Sequence, residues 1–320
     1  MVMPLSQLWA KTNRENAIHL LIYHLIDVSQ AALALWNLSF GEGLKVYFSN
    51  ALQLDADDAA QFLAFWVGLQ DIGKASPAFQ AKHKPAIAGL REVGLEIDRR
   101  VPTDIPHGWI TYDALAHPRH GLLHQETPLE QRHAQQIARA VGGHHGSWPH
   151  PTEAQQVRPR ARGDDAWRQA RRHLLHELAS TLNLPAFSSP DFLSDPEAAN
   201  AFLVMLSGFT SVADWIGSME EYFSFHSELM PSTEYAERSA RQAEEALRQT
   251  GWSQWQSAGD PHAFEEMFPK LSPNDIQREI IIRTEGKAPP LLAIIEAPTG
   301  TGKTEAAFYL ADRLNQVGLG

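Results

Sequence analysis

The sequence predicts a mainly helical protein that ends in the beginning of an α/β unit. Two observations carry this prediction: apolar residues recur at helical spacing through the first two thirds, and a short apolar run then leads through a glycine-rich turn into one more helical stretch. With 320 residues, 43% of them hydrophobic, the chain can bury one large core or two modest ones.

Helical periodicity places helices at residues 17–36, 59–69, 130–141, 164–182 and 197–219. Loops rich in Pro, Gly and His separate them at 102–108, 117–124 and 142–152. Residues 235–249 are rich in Ala, Glu and Arg and read as a polar, solvent-facing helix, and 250–261 are linker-like. The expected division is therefore a first domain at 1–232, a linker helix and linker at 233–262, and a second domain beginning at 263–320. Within the last segment, 273–283 reads as helix, 290–296 as a strand and 303–317 as helix.

A formal net charge of −11 argues against a protein that coats nucleic acid with its whole surface, so any phosphate contact must be local. Cysteine is absent, which excludes disulfides, thiolate nucleophiles and cysteine zinc sites; a metal must sit on His, Asp or Glu. Residues 1–14 lack the apolar core of a signal peptide, and no stretch is expected to approach the ~20 apolar residues of a membrane helix. The expectation is a soluble, cytoplasmic protein without a membrane partner.

Residues 297–304, Ala-Pro-Thr-Gly-Thr-Gly-Lys-Thr, follow the expected strand and open the expected helix, the context a Walker A phosphate loop requires. Gly300, Thr301 and Gly302 can turn backbone N–H groups toward phosphate, Lys303 can reach the outer phosphates, and Thr304 can place a hydroxyl on Mg²⁺. Ala297 stands where the first glycine usually does, a form familiar in superfamily 2 helicases. Residues 271–277 resemble the adenine-sensing glutamine segment of those motors, with Gln277 as the base reader and ATP as the implied ligand. No acidic motif to hold Mg²⁺ and position water follows before Gly320, so this stretch is expected to be a truncated piece of a motor that does not hydrolyse ATP by itself.

His24 and Asp214 lie within apolar helical runs, where an imidazole or carboxylate must be bonded or metallated. Asp71 lies where an apolar helix ends in a glycine turn, His107 in a loop, and His144 and His145 among glycines that allow close backbone approach. Imidazole and carboxylate together suit Mn, Fe, Co, Ni or Zn.

The order His24, Asp71 with Gly73 and Lys74, His107, His144-His145, Asp214, a linker and then a helicase-type phosphate loop resembles the type I CRISPR-associated helicase-nuclease family. The stretches Asp71-Ile-Gly-Lys-Ala-Ser-Pro-Ala-Phe-Gln80 and Ser211-Val-Ala-Asp-Trp-Ile-Gly217 carry the closest likeness. The resemblance implies a helical histidine–aspartate (HD) metal-dependent phosphohydrolase domain followed by a RecA-like motor. It implies single-stranded DNA as substrate and an RNA-guided surveillance complex of the Cascade type as partner. It further implies one cation on His24, Asp71 and Asp214 and a second on Asp71, His107, His144 and His145, with Asp71 bridging. Two such cations would clamp a scissile phosphate, and Lys74 would neutralise charge in the transition state.

One departure stands out: the family's His-Asp doublet reads Gln70-Asp71 here. A neutral amide is a weak ligand through its oxygen and none through its nitrogen. A two-metal site of lower affinity, a one-metal site on the second position, and an inactive scaffold that docks the motor on the RNA-guided complex all remain open. An HD phosphohydrolase acting on nucleotides would use similar ligands but would have no reason to be fused to a phosphate loop. Arg158, Arg160, Arg162, Arg168, Arg171 and Arg172, near Trp148 and Trp167, are the basic and aromatic candidates for gripping a strand.

Overall fold

The computed structural model describes residues 4–14, 16–253, 262–287 and 293–315. The chain divides into two compact units, one ending at Ser253 and the other beginning at Gln254.

In the first unit a small antiparallel pair, β1 (Trp9–Thr12) and β2 (Ile18–Leu20), leads directly into α1 (Leu21–Leu38). The helix expected from residue 17 thus starts later, because residues 18–20 satisfy their backbone groups against β1. Nearly every residue of α1 from Leu21 to Trp36 is buried, as its all-round apolar character requires. There follow α2 (Ala56–Gly68), α3 (His107–Ala116), α4 (Gln131–Gly142), α5 (Asp165–Thr181), α6 (Pro196–Gly217) and α7 (Ser232–Gln249), with shorter helices between them. Against α1 pack α2, α5, α6 and α7, while α3 and α4 pack on each other and α4 on α6. Asp55 caps α2 by accepting from Asp58 N at 2.9 Å, Asp164 caps α5, and Asp195 caps α6 just before Pro196. Trp66, Trp167, Tyr23, Phe48, Phe62, Phe65 and Phe202 are fully buried, each worth about 1.5–3 kcal/mol of transfer free energy or more for the largest rings.

Three expectations are corrected. Helix α7 does not face solvent: Tyr235, Ala236, Ser239, Ala243, Ala246 and Leu247 are buried, and the helix lies against α1. It belongs to the first unit, so the expected boundary at 232 and the linker at 233–262 give way to a unit that continues to Ser253. The buried face recurs at helical spacing but is built largely from Ala, Ser and Tyr on a helix that is polar as a whole. Second, α6 is long and apolar enough to cross a membrane by length and composition, although half of its apolar stretch is buried within the unit. Its Phe202, Leu206, Phe209 and Ile216 face the core, while Val204 and Trp215 are exposed. Third, His107 is not a loop residue but the first residue of α3.

In the second unit, α8 (Asp275–Thr284) is closed by a reciprocal cap between Asn274 and Gln277, and α9 (Lys303–Asn315) follows the phosphate loop. Residues 290–292 of the expected strand lie outside the described residues; 293–296 carry no strand ladder, and no other strand is described in this unit for them to pair with. Residues 316 and 317 of the expected last helix also lie outside the described residues.

Candidate metal centre

The six predicted ligands converge. His24 sits in the first turn of α1, Asp71 in the wholly buried 3₁₀ segment Leu69–Lys74 that continues α2, His107 at the start of α3, His144 and His145 just past α4, and Asp214 near the end of α6. Their ligand atoms form two groups, His24–Asp71–Asp214 and His107–His144–His145, each with all atoms within 4.8 Å of one another. Asp71 stands between them: Oδ2 is 2.8 Å from His24 Nε2, and Oδ1 is 3.0 Å from His107 Nε2 and 3.8 Å from His144 Nε2.

The backbone is shaped for this convergence. Thr111 Oγ1 donates to Gln70 O at 2.8 Å and accepts from Gly73 N at 3.0 Å, tying the 3₁₀ segment to α3. A Cβ on Gly73 would lie 2.3 Å from His107 O and 2.4 Å from Thr111 N, so only glycine lets α3 come this close. His144 Nδ1 donates to Val141 O at 2.9 Å, which leaves the Nε2 lone pair aimed at Asp71, and Ser211 of α6 donates to His144 O at 2.7 Å.

The two groups differ in how their lone pairs are met. In the first, Asp71 Oδ2 takes both His24 Nε2 and Lys74 Nζ, the latter at 2.6 Å. Asp214 Oδ1 accepts from Gln70 Nε2 and from Ser218 Oγ, each at 3.2 Å. In the second, Asp71 Oδ1 and His144 Nε2 are buried with no hydrogen-bond partner among the described residues. The 3.0 Å approach of His107 to Asp71 Oδ1 is close but not aligned as a hydrogen bond. His107 Nε2 and His145 Nε2 face each other at 3.1 Å. Unmet nitrogen and carboxylate lone pairs converging on one point fit a borderline divalent cation.

Electrostatics reinforce the readiness of these ligands. Burial alone would raise the Asp71 pKa, but Lys74 and then His107 and His24 hold the carboxyl well below the usual range. Burial, aided by Lys11 and Lys74, holds His24 well below the ordinary imidazole value, and burial beside His144 lowers His145. Lys74 reaches the centre as expected, but its ammonium is committed to Asp71.

Sequence reasoning missed Lys11, on β1, whose Nζ donates to Gly217 O at the end of α6 at 3.3 Å. Its pKa is lowered by burial and then by Lys74. A lone lysine near the N-terminus carries no signal of this placement. Of the arginine run, Arg158 is exposed, and the other five are engaged within the protein. Arg171 is buried and bonds Ala75 O and Arg162 O, while Arg160, Arg162 and Arg172 pair with Asp98, Asp113 and Glu126. Arg168 Nη2 donates to Gln125 Oε1 at 2.7 Å. Trp167 is fully buried and donates to Glu96 O, and Trp148 donates to Ser207. Neither indole is free to stack on a base.

In the second unit Gly300, Gly302, Lys303, Thr304 and Gln277 line one cavity of about 550 Å³. Gly300 and Gly302 have φ of 82° and 78°, the left-handed backbone that a phosphate loop needs. Thr301 Oγ1 donates to Pro298 O at 2.7 Å, and Lys303 Nζ donates back to Pro298 O at 2.8 Å and to Ala297 O. Gln277 donates from Nε2 to Gly302 O at 3.0 Å and accepts from Asn274 N at 2.9 Å, so its amide is engaged within the loop.

A helical bundle that gathers histidines and aspartates around a bridging carboxylate defines the class: an HD-type metal-binding domain. The family described as "Cas3, HD domain" matches residues 9–223, and the chain belongs to it. It is 32% identical over 98% of its length to the CRISPR-associated endonuclease/helicase Cas3 of Thermus thermophilus, covering 33% of that protein. It thus spans about a third of that relative's length. Among solved structures, one described as a CRISPR-associated protein matches with TM-score 0.73 and 36% identity, over 98% of this chain and 34% of that one. The Thermus thermophilus cas3 HD domain in the presence of Ni²⁺ matches with TM-score 0.59 and 28% identity, over 78% of this chain and 92% of that one. A CRISPR RNA-guided surveillance complex, pre-nicking, contains a chain that matches with TM-score 0.56 and 25% identity, over 98% of this chain and 35% of that one.

Proposed function

We propose that the first unit is a metal-dependent phosphodiesterase that cuts single-stranded DNA, and that the second begins an ATP-driven DNA motor. The observation that carries the nuclease reading is the pair of unmet buried lone pairs, Asp71 Oδ1 and His144 Nε2, flanked by His107 and His145. A divalent cation of the Mn, Fe, Co, Ni or Zn kind, held there, polarises a phosphate ester and lowers the pKa of water. The chain's own residues do the rest. Asp71 stays ionised because Lys74 lies against it, and His144 keeps its lone pair on Nε2 because Val141 O holds the other nitrogen's proton. Lys74 and Lys11 add positive charge beside the centre, which favours an anionic phosphodiester there.

For the motor, Gly300, Thr301, Gly302, Lys303 and Thr304 are assigned to ATP phosphates and Mg²⁺, and Gln277 to adenine. Binding requires Lys303 and Gln277 to exchange their present carbonyl partners for the nucleotide. The likeness to a chain of a CRISPR RNA-guided surveillance complex supports a Cascade-type, RNA-guided partner, and the cytoplasm is the proposed place of action.

The test is digestion of single-stranded DNA across Mg²⁺, Mn²⁺, Co²⁺ and Ni²⁺, with metal analysis of the purified chain. Cleavage that His144→Ala abolishes supports the reading. Bound metal without cleavage in any of these ions would instead favour an inactive scaffold, a reading kept in view by the Gln70 amide beside Asp214.

A further inference from the structure

The two ligand groups are not equally ready for a cation, and the difference traces to Gln70. Its amide nitrogen lies 3.2 Å from Asp214 Oδ1 and 3.4 Å from His24 Nε2, between the two outer ligands of the first group. His24 Nε2 already donates to Asp71 Oδ2 at 2.8 Å, so it cannot also accept from Gln70. The amide NH₂ is therefore directed by Asp214, whose carboxylate would repel the amide oxygen if the group were turned over.

The facing oxygens of the first group are thus met by protein donors. Asp71 Oδ2 has His24 and Lys74, and Asp214 Oδ1 has Gln70 and Ser218. A cation entering here must strip the proton from His24 Nε2, turn the Gln70 amide, and sit beside the Lys74 ammonium. All three steps oppose binding. The second group imposes less: one proton, shared between His107 Nε2 and His145 Nε2, must leave, but no amide stands in the way and Asp71 Oδ1 and His144 Nε2 are already unmet. The amide arrangement has its own cost, because Gln70 Oε1 and His24 Nδ1 are buried with no hydrogen-bond partner among the described residues.

We propose that this chain holds a single divalent cation, on Asp71, His107, His144 and His145, and that the Gln70 amide occupies the coordination space of the other. The inference rests on the metal-binding part of the proposed function but not on cleavage. Gln70 then acts as a neutral, permanent substitute for a metal: it ties the end of α2 to α6 as a cation would, without adding charge.

The experiment is Mn²⁺ titration of the metal-free chain, read as stoichiometry by calorimetry and by metal analysis after dialysis, with circular dichroism confirming the fold of each variant. The wild-type chain should bind one Mn²⁺, Gln70→His two, and His144→Ala none. Asp214→Asn, which keeps the shape of the side chain, should still bind one, with affinity within about threefold of wild type. Two Mn²⁺ in the wild-type chain, or loss of the single Mn²⁺ in Asp214→Asn, would overturn the proposal. One Mn²⁺ bound without cleavage of single-stranded DNA would leave it standing while removing the nuclease reading; two Mn²⁺ bound with cleavage would do the reverse.

Discussion

Asp71 offers its two oxygens to different company: Oδ2 to Lys74 and His24, Oδ1 to the ring nitrogens of His107 and His144. Removing its charge should therefore have two separable effects. Asp71→Asn should weaken Mn²⁺ binding by at least about 100-fold, beyond the ~10 to 100-fold typical of losses in the supporting shell. It also strands the Lys74 ammonium, which is only 8% exposed, and should lower stability by roughly 3 kcal/mol in urea denaturation of the metal-free protein. Unchanged stability would show that Lys74 finds water easily. All six converging residues were legible in the sequence, through the family resemblance together with their places inside apolar helices or among glycines, where a polar group must find a partner. Lys11 and the partner of Lys74 were not, since a lysine's reach leaves its contact undetermined until the fold is known.

Among the elements, the 3₁₀ segment and α3 approach so closely that position 73 has no room for a side chain. Gly73→Ala should cost about 1–3 kcal/mol through backbone overlap and displace His107. Its Mn²⁺ affinity should fall even where the helix content by circular dichroism is kept; normal affinity in a folded variant would mean that His107 is dispensable. Helix α7 illustrates what periodicity misses. Its contact with α1 is centred on polar groups: Asp27 accepts from Ser239 Oγ at 2.6 Å, Tyr235 OH at 3.2 Å and His19 Nε2 at 2.9 Å. Tyr235 also stacks on Tyr23 with ring centroids 3.8 Å apart. A buried carboxylate that draws three donors from two other elements, α7 and β2, leaves no periodic trace in either of them. Tyr235→Phe should cost about 1 kcal/mol in urea denaturation, and Asp27→Ala several times more, because three donors lose their acceptor at once. Equal costs would mean that Asp27 is satisfied without its network.

Across the whole molecule the same centre sets the response to acid. His24 and His145 have lowered folded pKa values, so the stability they contribute is complete above about pH 6.5, the unfolded imidazole value, and is lost as pH falls toward the folded ones. Asp71, also lowered, adds a second loss below about pH 4. Lys11, Lys74, Asp71 and Asp214 are the charged neighbours of the pair. Urea midpoints of the chelator-treated chain should drop steadily between pH 7 and pH 5, at up to ~1.4 kcal/mol per pH unit for the fully buried His24 and by much less for the exposed, solvent-screened His145. A flat profile over that range would show that neither imidazole is held neutral by the fold. Helix α7 adds a mechanical consequence. The backbone that leaves the first unit at Ser253 does so from this helix, which is clasped along α1 by Asp27, one turn from His24. Tension applied to the chain beyond that point reaches the Ala243, Ala246 and Leu247 contacts in the later half of the helix before it reaches the Asp27 clasp near its start. The turn of α1 that carries His24 thus lies by the end of this helix farthest along the chain from the tether, and the later turns of the helix shield the histidine centre from a pull.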